Sequence, residues 1–269
     1  MIGKKNKSSN YDWLVAWEHI DTLVTMEEVR KLTLNAIMRL KSSILHFSIK
    51  NIGYGWSGGK DALVIYDIIK KSGIKTKGLF CKYENEYDAF EKWVDYNKPA
   101  NCEIVSMGMV TPEQLNSEPR WLFPNPRFPE FDAKYTSARW HIQNKWCKEN
   151  KIDGFVTGRR IIDGNICGKE RELYTTKSEG VLKLNIIADW THEQVLAYIK
   201  YNNIPLPPFY RWKDGWVYGT HAWTERNCVD GNVYAILDEV LQCDPQTIKN
   251  NIGRVNIIDQ YVKEKGIKL

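Results

Sequence analysis

Short apolar runs alternate with amphipathic stretches through the middle of the chain. Five such runs predict β-strands, at residues 52–56, 77–83, 102–106, 154–157 and 181–187. Apolar positions three and four apart predict helices between them, at residues 61–71, 87–96 and 133–150. This alternation is typical of a parallel sheet with helices on both faces. The predicted fold is therefore α/β and doubly wound, with a mainly parallel five-stranded sheet.

The same pattern predicts helices on both sides of this sheet region. Residues 11–50 carry helical spacing, with Thr25 and Glu28 as a capping box inside the stretch. The tail after Asn232 predicts two or three helices. Residues 111–131 contain five prolines and little periodicity, which predicts a long irregular excursion near the site. Three domains are predicted: an N-terminal helical extension at 1–45, a nucleotide-binding α/β domain at 46–225 and a C-terminal helical cap at 226–269.

Composition narrows the class of protein. The 269 residues are 43% hydrophobic, enough for a full core, yet no run of about 18 apolar residues predicts a membrane span. The first ten residues are polar and basic and do not resemble a signal peptide, so we expect a cytoplasmic protein. The net charge of +5 fits an anionic ligand, and it permits nucleic-acid binding without implying it.

The cysteines do not have metal-site spacing. The six cysteines contain no Cys-x-x-Cys pair, so neither a zinc site nor an iron–sulfur cluster with local ligands is expected. Reduced and mostly buried thiols are the simpler interpretation. Cys228, in a polar stretch, is the best candidate for an exposed thiol.

A glycine-rich turn follows the first predicted strand and precedes a helix, an arrangement that suits phosphate binding. A Walker A loop does not fit, because Asp61 takes the place of its magnesium-binding hydroxyl residue and Tyr54 the place of its first glycine. Gly53-x-Gly55-x-x-Gly58 matches a dinucleotide fingerprint, but residues 47–51 before it form a poor buried strand.

The third interpretation takes residues 57–61 as the loop itself. The Ser57 hydroxyl can donate, and the amides of Gly58 and Gly59 can converge on an anion. Lys60 adds a mobile positive charge for phosphate or sulfate. Asp61, at the helix start, is suited to position a magnesium ion or to cap the loop.

A second polar cluster follows the strand predicted at 154–157. Gly158, Arg159, Arg160 and Asp163 stand at its carboxyl end, the edge where open α/β sheets bind ligands. Arginine grips phosphate or sulfate with two parallel N–H groups, and Asp163 can orient one such fork. A solvated charge cluster is the alternative.

Two further segments have both a functional and a structural interpretation. His221, with Trp223 and Arg226, can form a lid in which His221 acts as a general acid or base, or it can be a structural histidine. Residues 189–191 start a helix, and Thr191 with Gln194 completes a capping box that needs no catalytic role.

Together these motifs resemble the phosphoadenosine phosphosulfate (PAPS) reductase family and the related PP-loop ATP pyrophosphatases. The resemblance is carried by four stretches, namely Ser57-Gly58-Gly59-Lys60-Asp61, Gly158-Arg159-Arg160 with Asp163, Asp189-Trp190-Thr191, and Asn203-Ile204-Pro205. Arg139 resembles a family position near the substrate anion. The chain departs from the family at Ala62, which replaces a hydroxyl residue, and in lacking a Glu-Cys-Gly-like motif near residue 269.

The resemblance implies an adenine nucleotide such as ATP, with magnesium at Asp61, and an adenine nucleotide alpha-hydrolase-like fold. Three hypotheses follow. In the first, an enzyme cleaves the α–β phosphate bond of ATP and adenylylates an acceptor, using Lys60, Asp61, Arg160 and His221. In the second, a thiol-dependent reductase or sulfurtransferase acts on an adenylyl sulfate. In the third, a nucleotide-sensing module without catalysis presents its aromatic surface to a partner. The expected partners are the nucleotide and a protein partner or acceptor. We expect the chain to form a homodimer and not to associate with a membrane.

Overall fold

The computed structural model describes residues 2–3, 6–118, 129–218 and 232–268. These residues form two compact units. The first comprises Met1–Phe80, Pro99–Ile104 and Gln143–Leu206, and the second comprises Cys81–Lys98, Val105–Ile142 and Pro207–Leu269. The division into domains at residues 45 and 225 stays a prediction.

The sheet has six strands, in the order β3-β2-β1-β4-β6-β5. They are β1 (Ile52–Gly55), β2 (Lys77–Lys82), β3 (Cys102–Ser106), β4 (Gly154–Val156), β5 (Thr175–Ser178) and β6 (Val181–Leu184). β1 is parallel to β2 and to β4, and β4 is parallel to β6. The predicted α/β class with a mainly parallel sheet is confirmed.

Strand β5 is the element that the five-strand prediction lacks. It pairs with β6 in antiparallel fashion at the edge of the sheet, and its sequence Thr-Thr-Lys-Ser has no apolar residue. Glu179 and Gly180, which connect β5 to β6, both have positive φ, as a two-residue hairpin turn requires. An edge strand of this kind is stabilised by its ladder, and hydrophobic periodicity does not reveal it.

The described residues form the following helices, in chain order: α1 (Asn10–Glu18), α2 (Ile20–Leu23), α3 (Met26–His46), α4 (Lys60–Ser72), α5 (Asp88–Asn97), α6 (Pro112–Ser117), α7 (Pro129–Glu149), α8 (His192–Tyr201), α9 (Gly215–Tyr218), α10 (Val233–Cys243), α11 (Pro245–Asn251) and α12 (Asn256–Lys265). None of the described helices is long and apolar enough to span a bilayer. α10 to α12 match the helices predicted after Asn232.

Helix α4, which carries the loop residues Lys60 and Asp61, packs in the first unit. It contacts α3 and α8 and buries an apolar face that includes Val64, Ile65 and Ile68. It ends at Gly73, whose φ of 72° is the left-handed C-cap that the Ser-Gly pair predicts. α8 buries an unbroken apolar run, residues 195–199. The start of α4 is therefore fixed by a well-packed helix.

Two stretches differ from their predictions because capping overrides periodicity. Residues 11–50 contain three helices, since Thr25 is extended and its hydroxyl accepts from Glu28 N at 3.1 Å, which begins a new helix. In the proline-rich stretch, Pro112 and Pro129 are the first residues of α6 and α7, where proline is tolerated. Residues 119–128 of that stretch lie outside the described ranges.

The second unit is held by side chains that bond to backbone amides. Asp244 accepts from Ala89 N at 3.0 Å, and the Thr247 hydroxyl accepts from Asp88 N at 2.8 Å. Buried Asn85 donates to buried Asn251 at 2.8 Å. These bonds attach α11 to the start of α5.

Candidate phosphate-binding site

The glycine loop ends β1 and begins α4. Gly58 has a φ of 70°, which favours glycine, and Gly59 is the N-cap residue of α4 in an extended conformation. The Ser57 hydroxyl accepts from Gly59 N at 3.3 Å, and no side chain caps the helix. α4 therefore presents an N-terminal end that its own N-cap side chain does not occupy, which is the arrangement that binds anions.

Asp61 lies between two cations at this helix start. Its Oδ2 accepts from Lys60 Nζ at 3.0 Å, and its Oδ1 lies 3.1 Å from Arg160 Nε. Burial raises the pKa of the Asp61 carboxyl, but the charges of Lys60 and Arg160 outweigh it and hold the pKa below the usual 3.8. Asp61 is thus ionised at neutral pH.

Arg160 is completely buried and joins the loop to a second carboxylate. Its Nη2 lies 3.1 Å from Asp163 Oδ2 and 2.9 Å from His192 Nδ1. Its Nη1 is buried and has no hydrogen-bond partner in the structure. Buried donors without acceptors are rare in native proteins, so this nitrogen has donor capacity available to a bound anion.

The turn that carries Arg160 is fixed by the end of the sheet. Just after β4, the Thr157 hydroxyl donates to Asn185 Oδ1 at 2.6 Å. The Ile161 amide donates to Ala188 O at 2.8 Å, so both sides of Arg160 are attached to residues after β6. The backbone on both sides of Arg160 is therefore fixed, and its guanidinium is held by Asp61, Asp163 and His192.

Gly158 allows the two loops to touch. A Cβ at this position would lie 2.9 Å from Asp61 Cβ and 3.3 Å from its backbone carbon, closer than packing allows. A residue with a side chain at position 158, just before the two arginines, would therefore collide with Asp61.

His192 is a member of the cluster that the sequence interpretation assigned to helix initiation alone. It is 3% exposed, and its Nε2 lies 3.5 Å from Asp163 Oδ1. Because a guanidinium can only donate, His192 Nδ1 must accept from Arg160, which places the ring proton on Nε2. The predicted capping box of α8 is confirmed as well, with Thr191 accepting from Gln194 N at 3.2 Å.

Acid should destabilise the fold through His192. Burial, then the charges of Arg160 and Lys60, lower its pKa from 6.5 to about 3. Below pH 6.5 the unfolded chain binds a proton at His192 that the folded chain does not bind. The free energy of unfolding therefore falls as the pH is lowered from 7. Urea denaturation at pH 7.5 and pH 5 should show a loss attributable to His192 of about 2 kcal/mol.

The matched variant is His192→Asn, whose side-chain oxygen can still accept from Arg160. It should lose less stability than wild type between the two pH values. Equal losses in the two proteins would contradict a neutral, buried His192. Protonation of the Asp61 carboxylate lies below pH 3.8 and does not confuse the comparison.

The remaining predicted residues are not all brought to this cluster. Arg159 is half-buried, and its amide lies 3.5 Å from Thr157 Oγ1. Arg139 belongs to the second unit, on α7, where it is exposed and donates to Tyr135 at 3.4 Å. His221, Trp223 and Arg226, with Cys228, lie outside the described ranges. Their functional roles stay predictions.

Asp189, in the Asp-Trp-Thr stretch, has a structural task. Arg39 on α3 donates to both of its carboxylate oxygens, at 2.9 and 2.8 Å, and to Ile186 O at 2.7 Å. Trp190 is 2% exposed. This stretch therefore attaches α3 to the segment that orients α8.

Both carboxylate oxygens of Asp61 face a cation in this arrangement, Lys60 at Oδ2 and Arg160 at Oδ1. The described residues also contain no cluster of three or more His, Cys, Asp or Glu side chains that could hold a metal. Magnesium would have to come with the nucleotide, since it is usually bound by one or two carboxylates and by phosphates. Its binding at Asp61 stays a prediction.

The family follows from a sequence comparison. The model of the phosphoadenosine phosphosulfate reductase domain matches residues 51–214, which is more than half of the chain. The chain belongs to this family. The matched residues contain the glycine loop, Arg160, Asp163 and His192, so the cluster lies inside the family domain. The predicted family is confirmed.

Individual relatives are more distant. The chain is 35% identical over 75 residues to a phosphoadenosine phosphosulfate reductase of Saccharomyces cerevisiae, which is 28% of this chain and 29% of that protein. The match thus spans less than a third of the curated relative.

Solved structures of three different proteins are similar to the chain. A phosphoadenylyl-sulfate reductase from Candida auris has 20% identity and a TM-score of 0.48, over 68% of this chain and 90% of that one. An NMN synthetase from Francisella tularensis has 15% identity and a TM-score of 0.44, over 66% and 71%. A U34-tRNA thiolase from Methanococcus maripaludis has 16% identity and a TM-score of 0.44, over 89% and 82%.

Proposed function

We propose that the chain binds an adenine nucleotide of the adenylyl sulfate class, with the phosphate and sulfate groups at the start of α4. The observation that carries this proposal is the buried Arg160, which is paired with Asp61 at that helix end and whose Nη1 has no hydrogen-bond partner. The second cation, Lys60, lies on the same loop. Family membership supports the adenine nucleotide as the ligand.

The reaction that family membership favours is reduction or sulfur transfer. A cysteine thiolate would attack the sulfur of the adenylyl sulfate, form a sulfur–sulfur bond and release the adenosine phosphate. Of the described thiols, Cys102, Cys147 and Cys167 are buried, and burial raises the pKa of the latter two. Cys81 and Cys243 are half-buried. We infer that Cys228, which the sequence places in a polar stretch, is the nucleophile, although it lies outside the described ranges.

The second candidate is cleavage of the α–β bond of ATP, and the pairing of Lys60 and Arg160 at the start of α4 supports it. This reaction needs no thiol. Lys60 and Arg160 would stabilise the charge that develops on departing pyrophosphate, with Arg159 and Asp163 assisting and His221 moving a proton. The third candidate is a nucleotide sensor without catalysis, and it is supported by Ala62, which replaces a hydroxyl residue of the family's loop. A homodimer, a protein acceptor and a cytoplasmic location also stay predictions.

One assay separates these reactions. The protein is incubated with adenylyl sulfate or PAPS plus dithiothreitol, and separately with ATP and magnesium, while sulfite, AMP and pyrophosphate are measured. We expect Cys228→Ser to abolish sulfite release and leave nucleotide binding intact, because only the nucleophile is removed. Asp61→Ala should abolish both activities, since it releases Lys60 and Arg160 from their positions.

The outcomes are distinct. Pyrophosphate release from ATP without sulfite would establish the second candidate and overturn the first. Tight binding of a nucleotide without any product would overturn both reactions and support the third candidate, the nucleotide sensor. No binding of any of the three nucleotides would overturn the proposed site.

A further inference from the structure

Trp13, which precedes the matched family domain, lies against the phosphate site. It sits on α1 and is 4% exposed. Its ring meets the His192 ring edge to face, with centroids 5.0 Å apart at 80°. Lys60 Nζ lies 5.7 Å from the centroid of the Trp13 ring. A residue outside residues 51–214 thus contacts two members of the charge cluster.

Several bonds hold α1 in this position. Ser9 and Asp12 form a capping box at its start. Near its end, Lys200 on α8 donates to Trp17 O at 3.1 Å and to Glu18 O at 3.0 Å. The helix is therefore attached to α8, the element that begins with His192, and the Trp13 ring has a fixed place.

Two residues before α1 pack on the same side. Ile2 N donates to Glu193 Oε1 at 2.7 Å. Gly3 lies so close to His192 that a Cβ there would be 2.5 Å from Nε2. These contacts keep the His192 ring pressed between Gly3 and Trp13.

The Lys60 ammonium is restricted by the Asp61 carboxylate at 3.0 Å and by the face of the Trp13 ring. A cation within about 6 Å of an aromatic face is attracted by the ring. Ordering a lysine side chain on binding costs conformational entropy, and this cost is avoided when the side chain is already held.

We propose that Trp13 is a positioning residue of the phosphate site, which holds the Lys60 ammonium in place for an anion of the pyrophosphate class. Lys60 can keep its bond to Asp61 and still donate to the anion, since an ammonium has three donors. Trp13 does not touch the anion and acts through Lys60. This inference rests on the proposed function, because it assigns a role within the same site.

A double-mutant cycle tests it, with inorganic pyrophosphate as the probe and calorimetry as the measurement. Trp13→Leu should weaken pyrophosphate binding about fivefold, because the Lys60 side chain is no longer held and must be ordered when the anion binds. In a Lys60→Met background the same change should have no further effect. Trp13→Phe should retain part of the affinity, and Tyr11→Ala, on the exposed side of α1, should retain all of it.

A tryptophan that only anchors α1 would weaken binding equally in both backgrounds, and that result would overturn the inference. An unchanged affinity in Trp13→Leu, with Lys60→Met still impaired, would overturn it too. If wild type fails to bind pyrophosphate, the inference is overturned as a statement about binding, whereas the proposed function is overturned only if adenylyl sulfate, PAPS and ATP also fail to bind.

The contact itself has a readout that needs no ligand. Reductive methylation with labelled formaldehyde marks lysine amines for NMR, and Lys60→Arg assigns the Lys60 signal. We expect this signal to be shifted upfield by the Trp13 ring, the shift to disappear in Trp13→Leu and to persist in Tyr11→Ala. An unshifted Lys60 signal in wild type would contradict the placement of its ammonium over the ring.

Discussion

Replacing Arg160 by methionine is expected to lower the free energy of unfolding by about 3–5 kcal/mol and to abolish nucleotide binding. The substitution removes a completely buried cation and leaves the Asp61 and Asp163 carboxylates without it, while His192 loses its donor. Removing one partner of a buried ion pair is costly because the charge left behind is poorly solvated. Urea denaturation at pH 7.5 measures the effect.

Arg159→Met is the matched control, since Arg159 is adjacent in sequence but half-buried. It should cost about 1 kcal/mol or less. Arg160→Lys keeps the charge but cannot reach both carboxylates, so an intermediate loss is expected. Equal stability in Arg160→Met and Arg159→Met would show that the cluster does not hold the two loops together.

Gly158→Ala is expected to weaken nucleotide binding by roughly 1–3 kcal/mol, because its Cβ would push against Asp61 and displace the start of α4. Gly55→Ala, at the end of β1, is the control. A Cβ there would lie 3.4 Å from the nearest atom of Phe155, which is ordinary contact. Binding of adenylyl sulfate and of ATP, measured by calorimetry, should therefore fall in Gly158→Ala and stay near the wild-type level in Gly55→Ala.

The two alanine variants also need a stability measurement, so that a loss of binding is not a loss of fold. Both should unfold cooperatively. If Gly158→Ala binds nucleotide as tightly as Gly55→Ala does, then the contact between Gly158 and Asp61 does not shape the binding site.

The parts of the fold that sequence predicted are those in which local signals agree. β1 and α4 are flanked by glycines with clear roles, and Gly73 ends the helix where expected. β5 was missed because a polar edge strand has no apolar pattern. The break between α1 and α2 was missed because helical spacing continues through it although the backbone does not, whereas the Thr25–Glu28 capping box indicated the start of α3.

In the candidate site, too, the sequence predicted the contacts that a local motif or the sheet topology indicates and missed the others. Two motifs 97 residues apart or more were expected to meet because parallel strands present their carboxyl ends at one edge, and Asp61 indeed contacts Arg160. His192 was assigned to helix initiation, which it also serves, so nothing local indicated its bond to Arg160. The contact of Trp13 with Lys60 depends on how α1 packs, and no short motif records such packing.

The central claim is that the start of α4, with Lys60 and Arg160, holds the anionic end of an adenine nucleotide. A crystal structure with adenylyl sulfate tests it most directly. We expect the sulfate and phosphate oxygens within hydrogen-bonding distance of the Gly58 and Gly59 amides, of the Lys60 ammonium and of the Arg160 guanidinium. A nucleotide bound elsewhere, with no contact between its anionic groups and Lys60 or Arg160, would contradict the claim.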